Sequence, residues 1–415
     1  MQIINKTINN IPVKIIKTDK FKSTIISVVF KNLVSKENIT SYSLLRGILC
    51  YSTKKYNTND KLSLKLVDNY NSYLYGSTNR IGKCVVNSFY IETLDDKYTE
   101  KGNLNSVIDL LFEVLFNPNV KDNKFDKSSF DICYKDFELS LKKVEENNGS
   151  LASRNVYNYM NQKKEYTYLK TLDQLKSINE ENLYKSYNKM INESDAKIFI
   201  CGNVDENIDI TKIASNLNNK NRYNMDFYID NNDINEEYKV IKESNKGNES
   251  IHYLVGYLKG LTDYEKNYVV PIYRYILGST GNSRLFNTVR EKNSLAYYSF
   301  ARYEKTDNMI FIITGCEKDN YDKLNEIINK EIKKMDKITN RELLNAKKQI
   351  ISSLLESTDN MLQIVKRNMY EELFELPDIN GYIKVLNSVT KDDVINISKK
   401  AHYKLNYFLG GASDE

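Results

Sequence analysis

The order of strand-like and helix-like patterns repeats along the chain, and this repeat is the feature that most constrains the fold. Apolar spacing in the first half predicts strands at 11–17 and 24–30, helices at 38–52 and 60–70, a hairpin at 73–93, helices at 104–115, 125–146, 150–160 and 180–190, and a strand at 196–201. The second half predicts a strand at 251–257, a helix at 264–277, a hairpin of 295–303 and 309–314, helices at 321–335, 341–369, 382–389 and 391–402, and a strand at 403–409.

A short sequence echo supports a duplication. The segment NSYLYGS at Asn71–Ser77 resembles NSLAYYS at Asn293–Ser299, which lies 222 residues later. Residues 218–249 are mostly polar and lack periodicity, which is typical of a linker. The sequence therefore predicts an α+β fold of two homologous domains, 1–217 and 250–415, joined by this linker. Each domain is expected to be a mainly antiparallel sheet packed against helices, and the two domains are expected to be related by pseudo-duplication.

The composition excludes several classes of protein. The chain has 41% hydrophobic and 28% charged residues, which is ordinary for a soluble globular protein. A net charge of +5 over 415 residues is too small to indicate nucleic-acid binding. No apolar run approaches the roughly 18 residues that indicate a membrane span, and the N-terminus lacks a signal core. The five cysteines include no C-x-x-C pair and favour free thiols in a reducing compartment. We therefore expect a soluble, cytoplasmic protein.

Histidine is scarce, and this limits the chemistry that the chain can perform alone. His252 and His402 are the two histidines of the sequence, and neither has a carboxylate or a second histidine at the spacing of a zinc site. A nucleophile elbow, G-x-S-x-G, and a phosphate-binding loop, G-x-x-x-x-G-K-[ST], are both absent from the sequence. The residues thus predict no bound metal and no self-contained hydrolytic site.

The segment 275–302 contains two candidate functional side chains. Helical spacing is interrupted after residue 277 and resumes at Ser283, which is suited to cap the following helix. Arg290 lies near the end of that helix, and Tyr297 lies in the strand that follows. Tyr298 points to the opposite face of the strand and is predicted to be the core residue of the two tyrosines. A cation at a helix C-terminus and an aromatic residue in a strand are also ordinary structural features.

This segment resembles a known family. GNSRLFNTVREKNSLAYY, preceded by ILGS, is similar to the C-terminal domain of the insulinase/pitrilysin (inverzincin) zinc metallopeptidases. The resemblance continues upstream through Ile251–Gly256 and downstream through TNRELLNAK at 339–347. It covers most of the second half and agrees with the duplicated organisation.

The same resemblance shows what the first half lacks. The family's zinc motif, His-x-x-Glu-His, aligns with Ser43, Arg46 and Gly47, and the first half contains no histidine. The family's third ligand, a glutamate, aligns near Ser140, where Glu138 is close. The resemblance therefore implies that this chain binds no cofactor itself and that zinc belongs to a partner subunit.

The resemblance implies a motif-lacking, non-catalytic subunit of the family's bacterial heterodimeric branch. Such a subunit is similar to the non-catalytic subunit of the mitochondrial processing peptidase. The chain is then expected to be inactive alone and to act on peptides only with a homologous His-x-x-Glu-His subunit. Tyr297 and Arg290 are then expected to act in trans, as oxyanion hydrogen-bond donor and as substrate-binding cation. The alternative is a catalytically silent structural or peptide-binding subunit of a larger complex, like the core proteins of respiratory complexes. A third possibility, a stand-alone enzyme with another site, has no residues to support it.

Overall fold

The computed structural model describes residues 1–161, 164–220, 227–229, 237–247, 249–279 and 281–411. The chain divides into two compact units. Unit 1 comprises Met1–Leu141, Glu165–Phe227 and Thr358–Leu373, and unit 2 comprises Lys142–Lys164, Tyr228–Ser357 and Phe374–Glu415. Each unit contains one large sheet and several helices, so the predicted α+β fold with two sheet-containing halves is confirmed.

The large sheet of unit 1 has six strands. These are β1 (Gln2–Ile8), β2 (Ile11–Lys17), β3 (Ser23–Leu33), β4 (Tyr73–Ile81), β5 (Cys84–Leu94) and β8 (Asp195–Gly202), while β6 (Val120–Lys121) and β7 (Lys124–Phe125) form a small separate ladder. Their spatial order is β1-β2-β8-β3-β5-β4, and only β2 and β8 pair in parallel. The strand β3 is buried over most of its length, which explains its nearly continuous apolar run.

The helices of unit 1 pack mainly on one face of this sheet. They are α1 (Asn38–Leu49), α2 (Asn59–Asp68), α3 (Asn103–Phe116), α4 (Lys127–Glu146, whose last turns belong to unit 2), α6 (Leu172–Lys176), α7 (Glu180–Glu193), α8 (Thr211–Ala214) and α12 (Met361–Leu373). Buried apolar side chains of α1, α3 and α7 form one core with β3 and β5. The N-cap of α2 is Thr58, whose hydroxyl accepts from the backbone N–H of Lys61.

The sheet of unit 2 has five strands. They are β9 (Lys239–Ser244), β10 (Ser250–Leu258), β11 (Ala296–Glu304), β12 (Met309–Cys316) and β13 (Ala401–Gly410). Their spatial order is β11-β12-β10-β13-β9, and only β13 and β9 pair in parallel. The strand β9 lies inside the segment 218–249, which the polar sequence predicts to be a linker. Its residues alternate between exposed and half-buried, as expected of a polar edge strand held by backbone hydrogen bonds.

The helices of unit 2 bury the sheet on both faces. They are α5 (Asn148–Asn161), α9 (Val270–Gly278), α10 (Tyr321–Lys333), α11 (Asn340–Glu356), α13 (Ile379–Ser388) and α14 (Lys391–Lys400). α5 packs against the side chains of Ile251, Tyr253, Val255 and Tyr257, whereas α9, α10 and α14 pack on the other face. The strand β10 is therefore fully buried.

The two sheets share one topology. Five strands taken in chain order, β2-β3-β4-β5-β8 in unit 1 and β9-β10-β11-β12-β13 in unit 2, have the same spatial arrangement, first-fifth-second-fourth-third. The first and fifth strands are parallel in both units, and the other pairs are antiparallel. The echo at 71–77 and 293–299 marks the start of the equivalent edge strands β4 and β11.

Each unit also takes one helix from the other half of the sequence. α5 comes from the first half and belongs to unit 2, whereas α12 comes from the second half and belongs to unit 1. The prediction of a single helix at 341–369 is wrong, because the chain breaks after Glu356 and restarts at Met361. The side chain of Asn360 accepts from the backbone N–H of Gln363 and so caps the second helix.

Candidate functional site

Arg290 is placed by a helix whose two ends are both defined by the local sequence. At the beginning, the Ser283 hydroxyl accepts from the backbone N–H of Phe286 at 3.4 Å, as predicted for an N-cap. The segment Phe286–Lys292 is π-helical. At the end, Ser294 adopts a left-handed conformation with φ of 51°, and its N–H bonds to the Arg290 carbonyl at 3.0 Å. Arg290 therefore lies in the last turn.

Tyr297 is placed by an irregularity in the edge strand β11. Ala296 pairs with Cys316 and Tyr298 pairs with Gly315, so Tyr297 is an extra residue in the ladder. Such a bulge changes the direction of a side chain relative to a regular strand. The side chain of Tyr297 is 59% exposed. The neighbouring Tyr298 is half-buried and packs against the core, and burial followed by the Glu249 charge raises its pKa.

Arg290 and Tyr297 both line one open depression of unit 2, with a volume of about 780 Å³. The remaining lining residues are Glu291, Ser294, Leu295, Ala296, Glu317 and Asn320. The Tyr297 hydroxyl donates a hydrogen bond to the Glu317 carboxylate. The Arg290 guanidinium lies 4.8 Å from the centre of the Phe286 ring, and its Nε is 3.8 Å from the Glu291 carboxylate. The depression thus offers one phenol donor and one half-exposed cation.

The positions that align with the zinc motif have no metal-binding side chains. Ser43 is buried, and its hydroxyl donates to the Ile39 carbonyl at 2.8 Å within α1. Arg46 donates to the Gly76 carbonyl at 3.3 Å, and Gly47 has no side chain to contribute. Ser140, near the aligned third ligand, donates to the Phe137 carbonyl, and Glu138 is half-buried on the same helix.

The charges around these positions also oppose a bound cation. Arg46 carries a positive charge that contributes, after burial, to the lowered pKa of Lys170. Burial raises the pKa of Cys50 and that of Cys133 to about 12, so both thiols are neutral and poor metal ligands. Within the described ranges, no cluster of three or more His, Cys, Asp or Glu side chains is arranged to hold a metal ion. The side chains at these described motif positions therefore do not fit the zinc that the family implies.

The two histidines lie in separate environments of unit 2. His252 is fully buried in β10, and its Nε2 is 3.0 Å from the amide oxygen of Asn406. Burial lowers the pKa of His252 to about 4. His402 is exposed in β13, and partial burial together with Lys259 and Lys404 lowers its pKa. Neither arrangement resembles a metal or nucleophile site.

Two groups near the candidate positions are not predicted from the sequence. Glu317 directly follows β12, and it meets Tyr297 only because β11 and β12 pair across a turn. Lys170 lies in an irregular segment far from α1 in sequence and approaches the region of Arg46 only in the folded unit. A carboxylate or lysine at such a separation has no sequence signature, so only the tertiary structure identifies them.

Comparison with known proteins agrees with this geometry. Residues 177–350 match the family model described as Peptidase M16 inactive domain. The chain is 24% identical over 413 residues to "Probable inactive metalloprotease YmfF" of Bacillus subtilis, covering 96% of this chain and 95% of that protein. It is 25% identical over 321 residues to "Uncharacterized zinc protease YmxG" of the same organism, covering 75% of each. Among solved structures, a conserved protein from Enterococcus faecalis V583 aligns over all of both chains, with a TM-score of 0.91 and 20% identity.

The duplicated fold and the matched segment 177–350 are those of M16 proteins, so the resemblance to the insulinase/pitrilysin family is confirmed. Within that class the chain is similar to the Peptidase M16 inactive domain and to a probable inactive metalloprotease. No helix in the described part of the chain is both long enough and apolar enough to cross a lipid bilayer.

Proposed function

We propose that this chain is the non-catalytic subunit of a heterodimeric zinc metalloendopeptidase that processes peptides. The observation that carries the proposal is the pairing of Arg290 and Tyr297 at one open depression, in a chain whose own zinc-motif positions hold Ser43, Arg46 and Gly47. The partner is a homologous subunit with an intact His-x-x-Glu-His motif. A relative named as a zinc protease supports the existence of such metal-bearing homologues in this family. We further infer a cytoplasmic location, since all five cysteines are free.

In the proposed pair, the His-x-x-Glu-His residues of the partner subunit would hold zinc, which would supply an activated water for hydrolysis. The roles of this chain are to orient the peptide and to stabilise developing charge. Tyr297 is exposed and carries a hydroxyl that can turn from Glu317 to the carbonyl oxygen of the scissile bond. A hydrogen-bond donor at that oxygen stabilises the negative charge that grows there in the transition state. Arg290 has a half-exposed guanidinium that can hold peptide carbonyl groups by its forked donors.

A reconstituted pair with a motif-bearing partner tests these roles. We expect Tyr297→Phe to lower kcat by about 100- to 1000-fold, because one transition-state hydrogen bond is lost. We expect Arg290→Ala mainly to raise KM, because it removes a contact that is made to the bound peptide in the ground state as well. Cleavage of a fluorogenic peptide measures both effects. Tyr298→Phe and Arg302→Ala are matched controls in the same strand, and neither is expected to change kcat or KM.

One observation favours the second candidate, a catalytically silent structural or peptide-binding subunit. The Tyr297 hydroxyl is already bonded to Glu317, and the Arg290 side chain lies against Phe286 and near Glu291. In this alternative, these contacts serve only the packing of unit 2. The same assay separates the candidates, since wild-type turnover in both the Tyr297→Phe and Arg290→Ala variants would establish the structural role.

A further inference from the structure

Two cations lie side by side along the edge strand β4 of unit 1. The Arg46 guanidinium donates to the Gly76 carbonyl at 3.3 Å, and the Lys170 ammonium donates to the Thr78 carbonyl at 3.1 Å. Carbonyls two residues apart in a strand point to the same side and are separated by about 7 Å. The two charged groups are therefore neighbours. Position 76 is glycine, and a Cβ there would lie 2.6 Å from Cγ of Arg46, so the glycine makes room for the arginine to reach the edge.

These two cations have no carboxylate partner among the described residues. Arg46 and Lys170 are both half-buried, and each of their hydrogen bonds is made to a neutral backbone carbonyl. Burial and then the charge of Arg46 lower the pKa of Lys170 to about 8, as expected for an ammonium group beside a cation without a counter-ion. In contrast, Lys14 and Lys197, which are also partly buried in unit 1, share the carboxylate of Glu372.

The outer edge of β4 is not paired with another strand of the described sheet. The strand β4 is the last strand in the described sheet of unit 1, so its outer carbonyls face away from β5. A guanidinium presents parallel N–H groups that match the two oxygens of a carboxylate, and an adjacent ammonium adds a second charged donor. An incoming carboxylate would replace the neutral carbonyls as acceptor and would supply the missing negative charge.

We propose that Arg46 and Lys170 form a carboxylate-binding site for a peptide, which takes either its C-terminal carboxylate or an acidic side chain. The choice of a peptide rests on the proposed function, but the site lies in unit 1 and uses neither Arg290 nor Tyr297. Arg46 stands where the glutamate of the His-x-x-Glu-His motif aligns, so the proposed anion site includes one position of the degenerate zinc motif.

Binding of dye-labelled heptapeptides to the isolated full chain, followed by fluorescence anisotropy, tests the site. Three peptides are compared. The first has a free C-terminal carboxylate and one internal glutamate. The second is the same peptide with an amidated C-terminus, and the third has glutamine in place of the glutamate. We expect Arg46→Gln and Lys170→Gln each to weaken binding of the first peptide by about tenfold or more, the scale of one lost charged contact. Lys61→Gln, at an exposed site of α2, is the charge-matched control and leaves binding unchanged.

The outcomes separate the two sources of the carboxylate. Loss of binding on amidation identifies the C-terminus, and loss with the Glu-to-Gln peptide identifies the side chain; both support the site. The proposed site is overturned if neither peptide change lowers the affinity, or if neither the Arg46→Gln nor the Lys170→Gln variant does. It is also overturned if the wild-type chain shows no binding at millimolar peptide. Arg46→Lys and Lys170→Arg retain the charge and should bind, which excludes misfolding as the cause of a loss. Because no partner is present, failure here leaves the catalytic roles of Arg290 and Tyr297 open to their own test.

Discussion

At the scale of the residue, Arg284 connects two segments that carry the family resemblance. Its guanidinium donates to both carboxylate oxygens of Glu342, at 2.6 and 3.1 Å, and to the carbonyls of Lys334 and Lys337. Glu342 also accepts from the backbone N–H and the hydroxyl of Thr339, which forms the capping box of α11. The arginine of SRLF and the glutamate of TNRELL therefore serve the packing of unit 2.

Loss of this arginine is expected to destabilise unit 2. In Arg284→Ala, the partly buried Glu342 and two carbonyls lose their donor, which costs about 3 kcal/mol in the free energy of unfolding. Urea unfolding followed by circular dichroism measures the difference. Arg341→Ala removes an exposed arginine from α11, the helix that contains Glu342. It should change the free energy of unfolding by less than about 0.5 kcal/mol. Equal stability of the two variants would contradict the structural role of Arg284.

His252 predicts a pH dependence of stability. Burial lowers its pKa from 6.5 to about 4 in the folded protein, so the unfolded chain binds this proton at a higher pH than the folded chain does. The contribution of neutral His252 to the free energy of unfolding is therefore fully present above about pH 6.5. As the pH falls towards 4, this contribution is lost, by up to about 3 kcal/mol. Urea unfolding at pH 7 and pH 4.5 compares the wild type with His252→Asn, which should lose less stability on acidification. His402→Asn, at an exposed position, should behave like the wild type; identical acid sensitivity of all three proteins would falsify the assignment.

At the scale of the element, helix α12 is held on the sheet of unit 1 by charge as well as by apolar contact. Its side chains Met361, Ile364, Val365 and Met369 are buried. Near its end, Glu372 accepts from the ammonium groups of Lys14 and Lys197, which lie in β2 and β8. One carboxylate thus satisfies two lysines from adjacent strands.

Glu372→Gln should loosen this helix. Removing the charge leaves two partly buried lysines without a counter-ion, which costs about 2 kcal/mol. Hydrogen exchange read by mass spectrometry should show faster exchange of the amides in α12. Gln363→Ala, which changes an exposed side chain of the same helix, should cost about 0.5 kcal/mol or less. Equal exchange of α12 in the two variants would show that Glu372 does not hold the helix.

The elements that the sequence predicted well are those with strong periodicity. The strand β2 matches its prediction at both ends, and the hairpin of β4 and β5 lies where the alternating pattern placed it. The break between α11 and α12 is not predicted, because Leu354 and Met361 keep helical spacing across the polar residues 357–360. The strand β9 was missed because its pairing with β13 depends on backbone groups that its polar residues do not reveal.

At the scale of the whole molecule, the absence of zinc ligands at positions 43, 46 and 47 predicts the metal content of the purified protein. A hydroxyl, a guanidinium and a glycine provide no site for a divalent cation, and the charges of Arg46 and Lys170 repel it. Elemental analysis after dialysis should find less than about 0.1 zinc per chain. A relative with an intact His-x-x-Glu-His motif, treated in parallel, should retain about one. One tightly bound zinc per chain would contradict the proposed division of labour.

The duplication is visible at this scale in the topology rather than in residue identity. Both sheets use the same strand order, and Tyr75 in β4 occupies the position that Tyr297 occupies in the echo. The exchange of α5 and α12 is not visible in the sequence pattern, because helical periodicity identifies an apolar face without identifying the sheet that covers it.

The sequence by itself determined the α+β class, the duplication, the lack of zinc-motif histidines and the two candidate residues Arg290 and Tyr297, since each follows from residue type and short spacing. Only the tertiary structure decided that a bulge directs Tyr297 to Glu317, that Arg284 serves packing, and that Arg46 and Lys170 lie together at the edge of β4. These contacts join residues far apart in the chain. Their partners are selected by strand register and helix packing, which local residue patterns do not specify.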